Sequence, residues 1–457
     1  MKKSTKIIAT LGPSSSSRDV IAMMVREGAD GFRVNFSHGS PQHWRAMASI
    51  VRSVEEAAAR PIALLGDLTG PAVRLGDFEP VKVSRGERVR LVLSGRGEGI
   101  PVPLKRLFEV VEEGDELLID EGKIRLIVER VGVDYVEAIS ILDGVIRPRK
   151  SLAIAGRDLG LPPLTERDVE NARLAVDMGF DYLAMSFVRS PEDVERLREA
   201  LSRFGGDDVR IVAKIETRTA VENVQGIARR SDAVMVARGD LGVHFPLEEI
   251  PSIQSKIIEE TLSVGKPVIL ATQLLESMVD SPVPTRSEVT DVMFAVSQGA
   301  DALLLASETA VGRYPIEAVR WMRRIIENAE NHWPPSVSRR APSSLYDRFA
   351  QGVALLAKSL NARVAVYTRS GKTALRISTF REVSPIFAAT NSPRVARQMA
   401  LVWGIKPFVV SSRDREEALR ELVKLLISEG EVTYGDLLVA AYGIREGATE
   451  AVRIIQV

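Results

Sequence analysis

The amino-acid sequence predicts an α/β fold: a (β/α)8 TIM barrel with an inserted small β-barrel lid domain and a C-terminal open α/β domain. Three observations predict it. Eight short apolar segments lie within the first 307 residues, helical periodicity fills the gaps between most of them, and two long stretches exceed what a barrel needs. The segments are rich in Val, Ile, Leu and Ala and have the length of strands that are buried on both faces.

The eight predicted strands span residues 6–10, 31–37, 62–68, 181–187, 210–216, 233–238, 267–272 and 302–307. Helix start signals lie between them, such as the capping pattern that opens at Thr165 and the proline that follows Ser190. Because the carboxyl ends of barrel strands build the active site, the polar residues at these ends carry functional weight.

Two further regions divide the chain. We expect the barrel to comprise residues 1–74 and 158–331, with residues 75–157, which alternate in strand fashion between glycine turns, inserted as the lid. A domain at the mouth can close over a substrate and exclude water, although an insertion without function stays the alternative. Residues 332–343 are rich in Pro and Ser and predict a linker, and residues 344–457 alternate strands with helices.

Composition narrows the class of protein. The chain has 61 Lys and Arg against 61 Asp and Glu, which indicates no nucleic-acid or membrane partner. It has no cysteine, which excludes disulfides, Cys-ligated metals and thiol catalysis. No apolar run resembles a signal peptide or a membrane span, so we expect a soluble cytoplasmic protein that binds small molecules.

The second strand ends in three polar residues on one face. Arg33, Asn35 and Ser37 alternate with Phe32, Val34 and Phe36, so the polar set points into the barrel. A cation followed by oxygen ligands suits a phosphate and a monovalent ion. The alternative for Arg33 is that it bonds only to strand-end carbonyls.

The fifth and sixth strands carry the metal candidates. Lys214 and Glu216 share one face, and Asp240 follows the next strand. Because neighbouring strands lie about 4.8 Å apart, Glu216 and Asp240 can meet on one Mg²⁺. Lys214 and Glu216 could instead form a structural ion pair. Gly239 either turns the chain or leaves a backbone N–H for an anion.

The remaining strand ends add charge of both signs. Asp67 closes strand three, Thr272 closes strand seven, and Arg74 and His38 lie in the loops that follow strands three and two. Mixed charges at this density suit a metal-bound phosphoanion, although His38 could be an ordinary hydrogen-bonding residue of its loop.

One loop of the C-terminal region resembles a phosphate-binding loop. It follows a predicted strand, opens a helix and consists of Thr368, Arg369, Ser370, Gly371, Lys372 and Thr373. Val366 stands where a Walker loop requires glycine. Either a phosphate site or a helix-capping loop fits this pattern.

Six ordered motifs, at residues 5–15, 33–39, 214–217, 238–242, 271–278 and 308–315, closely resemble those of the pyruvate kinase family, with an archaeal or thermophile-like character. The resemblance implies glycolytic phosphoryl transfer from phosphoenolpyruvate to ADP, giving pyruvate and ATP, through an enolate and with Mg²⁺ or Mn²⁺. It also implies a homotetramer and a phosphorylated effector at the loop of residues 368–373.

The resemblance implies residue roles as well. The catalytic residues of the family correspond to Lys214, Arg33 and Thr272, and Gly239 and Asp240 complete the substrate site. Glu216 and Asp240 correspond to the ligands of the divalent metal. The nucleotide phosphates would face His38, Arg74 and Arg167. The residues that correspond to the potassium ligands of the family are Asn35, Ser37, Asp67 and Leu68.

Departures from the family pattern leave some properties open. Ala72 replaces the glutamate that accompanies potassium dependence, so the potassium requirement is in doubt. Arg167 replaces a lysine, Phe294 replaces an asparagine, and the effector region is short. Two other functions remain alternatives: a phosphoenolpyruvate or pyruvate lyase on the same barrel, and a phosphometabolite sensor.

Overall fold

A computed structural model describes residues 3–71, 73–120, 122–157, 159–335, 341–443 and 451–457. Several sequence-based predictions therefore lie outside the described residues: Ala72 as the potassium determinant, residue 158 as a domain boundary, residues 336–340 of the linker, and residues 1–2, 121 and 444–450 of the three predicted domains.

The strands, in chain order, are β1 (Lys6–Thr10), β2 (Gly31–Asn35), β3 (Ala63–Asp67), β4 (Val81–Val83), β5 (Arg88–Leu93), β6 (Ile100–Val102), β7 (Glu116–Ile119), β8 (Ile124–Val131), β9 (Tyr135–Ser140), β10 (Gly144–Ile146), β11 (Leu152–Ile154), β12 (Tyr182–Met185), β13 (Arg210–Ile215), β14 (Ala233–Ala237), β15 (Val268–Ala271), β16 (Ala302–Leu305), β17 (Arg363–Tyr367), β18 (Ile386–Thr390), β19 (Ile405–Val409), β20 (Leu437–Tyr442) and β21 (Ala451–Gln456).

The α-helices are α1 (Arg18–Glu27), α2 (Pro41–Ala58), α3 (Lys105–Val110), α4 (Glu166–Asp177), α5 (Pro191–Arg203), α6 (Arg218–Glu222), α7 (Val224–Arg230), α8 (Arg238–His244), α9 (Ile250–Ser263), α10 (Arg286–Ser297), α11 (Ser307–Ala310), α12 (Pro315–His332), α13 (Leu345–Ser359), α14 (Lys372–Ser378), α15 (Pro393–Met399) and α16 (Arg415–Ser428). No helix in the described ranges is long and apolar enough to cross a membrane.

Eight parallel strands close into a barrel in the order β1-β16-β15-β14-β13-β12-β3-β2, which confirms the predicted fold class. The ring closes where β1 pairs with both β16 and β2. All eight strands lie where the apolar segments predict them, but most end one or two residues early. Most of the polar residues with predicted roles therefore lie at a strand's last position or in the loop just beyond it, at the barrel mouth.

The residues predicted to start helices lie at the beginnings of the observed helices. Thr165 caps α4 in a reciprocal capping box with Asp168, and proline occupies the first turn of α5 and of α12. Apolar residues then cover the outside of the strands, including Phe32, Phe36 and Trp44. This outer layer fixes the alternation that turns Arg33 inward.

Two sheets form the inserted region around one apolar core. The larger has the order β11-β7-β8-β9-β5-β6, and the smaller pairs β10 with β4. Within residues 73–120 and 122–157 the strands pair as two sheets rather than as one closed ring, so the region expected to be a small β-barrel is a two-sheet β domain. Leu91, Leu117 and Leu126 are fully buried between the strands.

The C-terminal sheet has the order β19-β18-β17-β20-β21, with only β21 antiparallel. This part of the chain packs against the amino end of the barrel, opposite the mouth. Leu401 inserts among the residues that fill the barrel interior, and Arg381 pairs with Asp301 through Nη2 and Oδ2 at 2.6 Å. The mouth stays clear for chemistry because the C-terminal sheet covers the other end.

Candidate active site

Lys214, near the carboxyl end of β13, is the hub of a buried charge cluster. Its Nζ lies 2.8 Å from Glu216 Oε1 and 3.5 Å from Asp67 Oδ1, and it donates a hydrogen bond to Ser186 Oγ at 2.8 Å. These residues come from three neighbouring strands, β3, β12 and β13. The predicted clustering of Lys214, Glu216 and Asp67 is therefore present.

Arg33 on β2 lies at the edge of the same cluster. Its Nε donates to Asp67 Oδ2 at 2.7 Å, and its Nη1 donates to Thr10 Oγ1 at 3.2 Å. The guanidinium is thus held by two side chains rather than only by strand-end carbonyls. Because these partners engage Nε and Nη1, Nη2 remains the atom best placed to meet an incoming oxyanion.

Charge and burial act against each other here. Burial alone would lower the pKa of Lys214, but Asp67, Glu216 and Asp240 raise it above its ordinary value, so the ammonium stays charged. Burial likewise opposes ionisation of Asp67, yet Lys214 and Arg33 hold its pKa below the usual range. Burial raises the pKa of Glu216 to about 7, against the pull of Lys214.

Two carboxylate oxygens of this cluster suit a cation. Glu216 Oε1 and Asp67 Oδ1 are buried and accept no hydrogen bond from any described residue. Lys214 Nζ forms an ion pair with each of them. Within the described ranges no three His, Asp or Glu side chains form a metal cage. An Mg²⁺ held by one or two carboxylates and completed by substrate oxygens fits such a site.

Asp240 faces the same region from α8. It lies in the first turn of that helix, and its negative charge raises the pKa of Glu216 further. Residues 238–244 form a helix, so the turn considered for Gly239 is not present. The Gly239 N–H instead donates to Thr272 Oγ1 at 3.0 Å.

Thr272 and Gln273 follow β15 in an unusual conformation. Their φ angles are +69° and +56°, the left-handed region that costs a non-glycine residue about 1–2 kcal/mol. Arg238 donates to the carbonyl oxygens of both residues at 2.8 Å. The surroundings therefore impose this geometry, as is common at functional sites.

The four candidate potassium ligands lie side by side. Asn35 is in register with Asp67 across β2 and β3, and Asn35 Oδ1 accepts a hydrogen bond from the Ser37 N–H at 3.0 Å. Ser37 Oγ lies 3.1 Å from Thr69 Oγ1, and the Leu68 carbonyl accepts from Ser186 Oγ at 2.8 Å. Asn35 Oδ1, Ser37 Oγ and the Leu68 carbonyl are thus each engaged in a hydrogen bond with a different group of the protein.

The three candidate nucleotide residues lie at the rim. His38 and Arg167 are exposed, the first beyond β2 and the second in the first turn of α4. Arg74 is also exposed, and its Nη1 donates to the Arg149 carbonyl at 3.1 Å at the base of the inserted domain. Their positions surround the mouth without touching the Lys214 cluster.

The loop of residues 368–373 lies far from the mouth. Thr368 Oγ1 accepts from the Gly371 N–H at 3.0 Å, and Gly371 has a φ of +80° at the position just before α14. Ser370 offers its carbonyl to Arg210 Nη2 at 3.1 Å. Arg210 begins β13, the strand that carries Lys214 near its other end.

Three residues of the site have no role in the sequence analysis: Thr10, Ser186 and Asp168. Thr10 ends a predicted strand and Ser186 is the next-to-last residue of another, so the strand-end criterion could have found them. Asp168 was visible only as a capping residue, yet its Oδ1 also accepts from the Gly70 N–H at 3.2 Å. It thereby ties α4, and with it Arg167, to the loop after β3.

Comparison with known proteins agrees with this geometry. Residues 2–319 match the family described as pyruvate kinase, barrel domain, and residues 347–456 match pyruvate kinase, alpha/beta domain. The pyruvate kinase of Aeropyrum pernix is 40% identical over 95% of both chains. That of Pyrobaculum aerophilum is 39% identical over 97% of this chain and 95% of its own.

Solved structures give the same result. The crystal structure of pyruvate kinase from Pyrobaculum aerophilum superimposes with a TM-score of 0.90 at 38% identity, covering 99% of each chain. A pyruvate kinase from Cryptosporidium parvum superimposes with a TM-score of 0.92 at 29% identity, covering 99% of this chain and 96% of its own. With both regions matched in sequence and in fold, the chain belongs to the pyruvate kinase family.

Proposed function

We propose that this protein transfers the phosphoryl group of phosphoenolpyruvate to ADP and releases pyruvate and ATP. A β-phosphate oxygen of ADP forms the new bond to phosphorus, the bond from phosphorus to the enol oxygen breaks, and the resulting enolate takes a proton at its methylene carbon. The observation that carries the proposal is the convergence of Lys214 and Arg33 with Glu216 and Asp67 at the barrel mouth.

Lys214 and Arg33 provide the positive charge for the transferring group. Phosphoryl transfer needs mainly positioning and charge neutralisation. Asp67 lies between the two cations, with one oxygen directed at each, so it keeps them apart and oriented before substrate binds. Charge that develops on the enolate oxygen then meets the Lys214 ammonium, which needs little rearrangement because it is already fixed.

Glu216 and Asp240 are the residues that would hold a divalent cation, Mg²⁺ or Mn²⁺. When bound, such an ion neutralises charge on the phosphoryl and enolate oxygens. Glu216 is oriented for this role because its Oε2 accepts a hydrogen bond from the Phe187 N–H at 2.8 Å while Oε1 stays on the cluster side.

Thr272 and Gly239 complete the substrate site. The first turn of α8 follows β14 directly, and its backbone N–H groups would stabilise a substrate carboxylate there. The Thr272 hydroxyl accepts the Gly239 N–H and keeps its own proton for donation. This arrangement supports a role at the enolate.

The nucleotide side is formed by the rim. His38, Arg74 and Arg167 provide basic groups for the phosphates of ADP, and their exposure leaves them able to meet a ligand that enters from solvent. The inserted domain, whose base Arg74 contacts, closes over this side and excludes water.

The oxygens of Asn35, Ser37, Asp67 and Leu68 are the candidate ligands for a potassium ion. Asp67 already has Arg33 and Lys214 as partners, so positive charge is present without a monovalent ion. We therefore include turnover without potassium in the proposal.

The proposal extends to regulation and assembly. A phosphorylated effector would bind at the loop of residues 368–373, where Gly371 opens α14. The active protein would be a homotetramer. The family matches and the relatives above give no support to the lyase or to the sensor.

The test is pyruvate release from phosphoenolpyruvate and ADP, with Mg²⁺ and then with a chelator, each with and without potassium. We expect turnover that requires the divalent ion and persists without potassium. Metabolite binding seen by calorimetry without any pyruvate would favour the sensor, and strict dependence on potassium would overturn that part of the proposal.

A further inference from the structure

Arg238 connects three elements behind the barrel mouth. It opens α8, immediately before Gly239 and Asp240, and its side chain is only 8% exposed. Its Nε and Nη2 donate to the Thr272 carbonyl at 3.2 and 2.8 Å, and Nη2 also reaches the Gln273 carbonyl at 2.8 Å. One guanidinium thus fastens the loop after β15 to the start of α8.

Asp291 on α10 fixes that guanidinium from the other side. Arg238 Nη1 donates to Asp291 Oδ1 and Oδ2 at 2.8 and 2.7 Å, and the same atom lies 3.4 Å from Gln254 Oε1. With the planar fork bound at both ends, Arg238 has little freedom to rotate. A lysine at this position could supply the charge but not the fork.

This contact sets the conformation of Thr272. Two consecutive residues in the left-handed region persist only where surrounding groups over-determine the backbone. The carbonyl oxygens that define the turn are those that Arg238 binds. The consequence appears on the side chain, because Thr272 Oγ1 meets the Gly239 N–H at 3.0 Å.

Both partners of this hydrogen bond are therefore placed by Arg238. The hydroxyl accepts from a backbone donor, so its single proton is left to point into the site. If the backbone of residues 272 and 273 relaxed to ordinary angles, Oγ1 would lose Gly239 and the proton would lose its direction. The rate of the proton-transfer step that uses the hydroxyl would then fall, whereas the affinity for substrate would change little.

We propose that Arg238, held by Asp291, is a positioning residue that orients the Thr272 hydroxyl for proton delivery to the enolate carbon. The inference rests on the proposed function and deepens it. In the proposed step the Thr272 Oγ–H bond breaks as the methylene carbon of the enolate forms its new carbon–hydrogen bond, the enolate oxygen becomes the ketone carbonyl of pyruvate, and water returns a proton to Thr272 Oγ. The competing explanation is that the pair only stabilises the packing of α8, α10 and β15.

The experiment separates these explanations with a reaction that contains only the proton step. The reaction is the exchange of solvent deuterium into the methyl group of pyruvate in the presence of Mg²⁺, and NMR measures its rate. The rates are compared among the full-length wild type, Arg238→Lys, Thr272→Val and the double variant. Misplacement of a reacting group costs about 100-fold in rate, so we expect Arg238→Lys to slow exchange by about 10- to 100-fold while KM for phosphoenolpyruvate changes less than about threefold.

The double variant gives the decisive comparison. If Arg238 acts through Thr272, Arg238→Lys should slow exchange by less than about twofold further once Thr272→Val is present. Independent, multiplicative losses would overturn the proposal, as would unchanged exchange in Arg238→Lys. Asp291→Asn provides the same comparison with a milder change should Arg238→Lys not fold, which thermal unfolding reports.

Arg381→Lys is the matched control. Arg381 is also buried, pairs with Asp301 at 2.6 Å and donates to the Gly299 carbonyl at 3.0 Å, but at the opposite end of the barrel. It should lose stability without slowing exchange. A wild type that forms no pyruvate from phosphoenolpyruvate and ADP would refute the proposed function itself, whereas wild-type turnover with multiplicative losses refutes only the role of Arg238.

Discussion

Lys214 Nζ lies 2.8 Å from Glu216 Oε1, and the two residues stand two positions apart near the end of one strand. Alternation along the strand and its next residue puts both side chains on the interior face, so in the proposed function one strand end would supply both the cation for the phosphoryl group and a carboxylate for the metal. Substitutions of Lys214 and of Glu216 distinguish these roles from that of a structural ion pair.

Replacing Lys214 by Met should lower kcat by about 1,000-fold, because it removes a preorganised charge at which the transition state is stabilised. Steady-state pyruvate formation measures it, and circular dichroism reports retention of the fold. Lys266→Met is the control, since Lys266 is also partly buried on the barrel but donates to the Ser231 carbonyl. Residual activity above about a tenth of wild type in Lys214→Met would refute the assigned role.

Replacing Glu216 by Gln keeps the shape and removes the charge. We expect the Mg²⁺ concentration at half-maximal activity to rise at least about 10-fold, since even the loss of a residue that only hydrogen-bonds to a metal ligand changes metal affinity by that factor. Mn²⁺ binding followed by electron paramagnetic resonance measures the same loss without turnover. Glu199→Gln, at an exposed position on α5, is the control. Equal Mn²⁺ affinity in wild type and Glu216→Gln would contradict the metal assignment.

Leu401→Ala should destabilise the protein without lowering its kcat. Leu401 is buried among the residues that fill the barrel interior, close to Gly31 at the amino end. The cavity should lower the free energy of unfolding by about 3 kcal/mol, while kcat changes less than about twofold because the chemistry is at the other end. Leu355→Ala is the control, because Leu355 is 47% exposed. This substitution should change the free energy of unfolding by less than about 0.5 kcal/mol. Equal unfolding free energies for the two variants would refute the packing described.

Lys6 predicts a pH dependence of stability. Its Nζ donates to the Ile405 carbonyl at 2.7 Å, between the barrel and the C-terminal sheet. Burial lowers its pKa from 10.5 to about 8, although Asp30 and Glu330 oppose the shift. Lys3 and Arg60 add to the lowering.

Between pH 8 and 10.5 the unfolded chain holds the Lys6 proton that the folded protein has lost. The unfolding free energy of wild type should therefore rise with pH in this window, by up to about 1.4 kcal/mol per unit, relative to Lys6→Met. Below pH 8 the difference between the two proteins should be constant. Denaturant unfolding at several pH values measures it, and parallel curves from pH 8 to 10 would contradict the lowered pKa.

Much of the barrel could be predicted because its strands obey a local rule. Segments such as 6–10 and 210–216 are buried on both faces, so their apolar runs are visible without any tertiary information. Lys214, Glu216 and Asp67 could be placed together because the carboxyl ends of parallel strands meet at one edge.

Other features depend on contacts between distant parts of the chain. The left-handed geometry of Thr272 follows from Arg238, which lies 34 residues earlier, and the filling of the barrel by Leu401 depends on how the C-terminal region packs. The helix at 238–244 was obscured by its two glycines, which favour a turn when propensity alone is considered. Tertiary packing overrides that propensity.

We propose that the Lys214 cluster is where the phosphoryl group moves from phosphoenolpyruvate to ADP. The decisive measurement is phosphorus-31 NMR of wild type with phosphoenolpyruvate, ADP and Mg²⁺, with Lys214→Met run in parallel. We expect the phosphoenolpyruvate signal to be replaced by the γ-phosphate of ATP in equal amount, with matching pyruvate, in wild type alone. Release of inorganic phosphate without ATP, or no change in any signal, would contradict it.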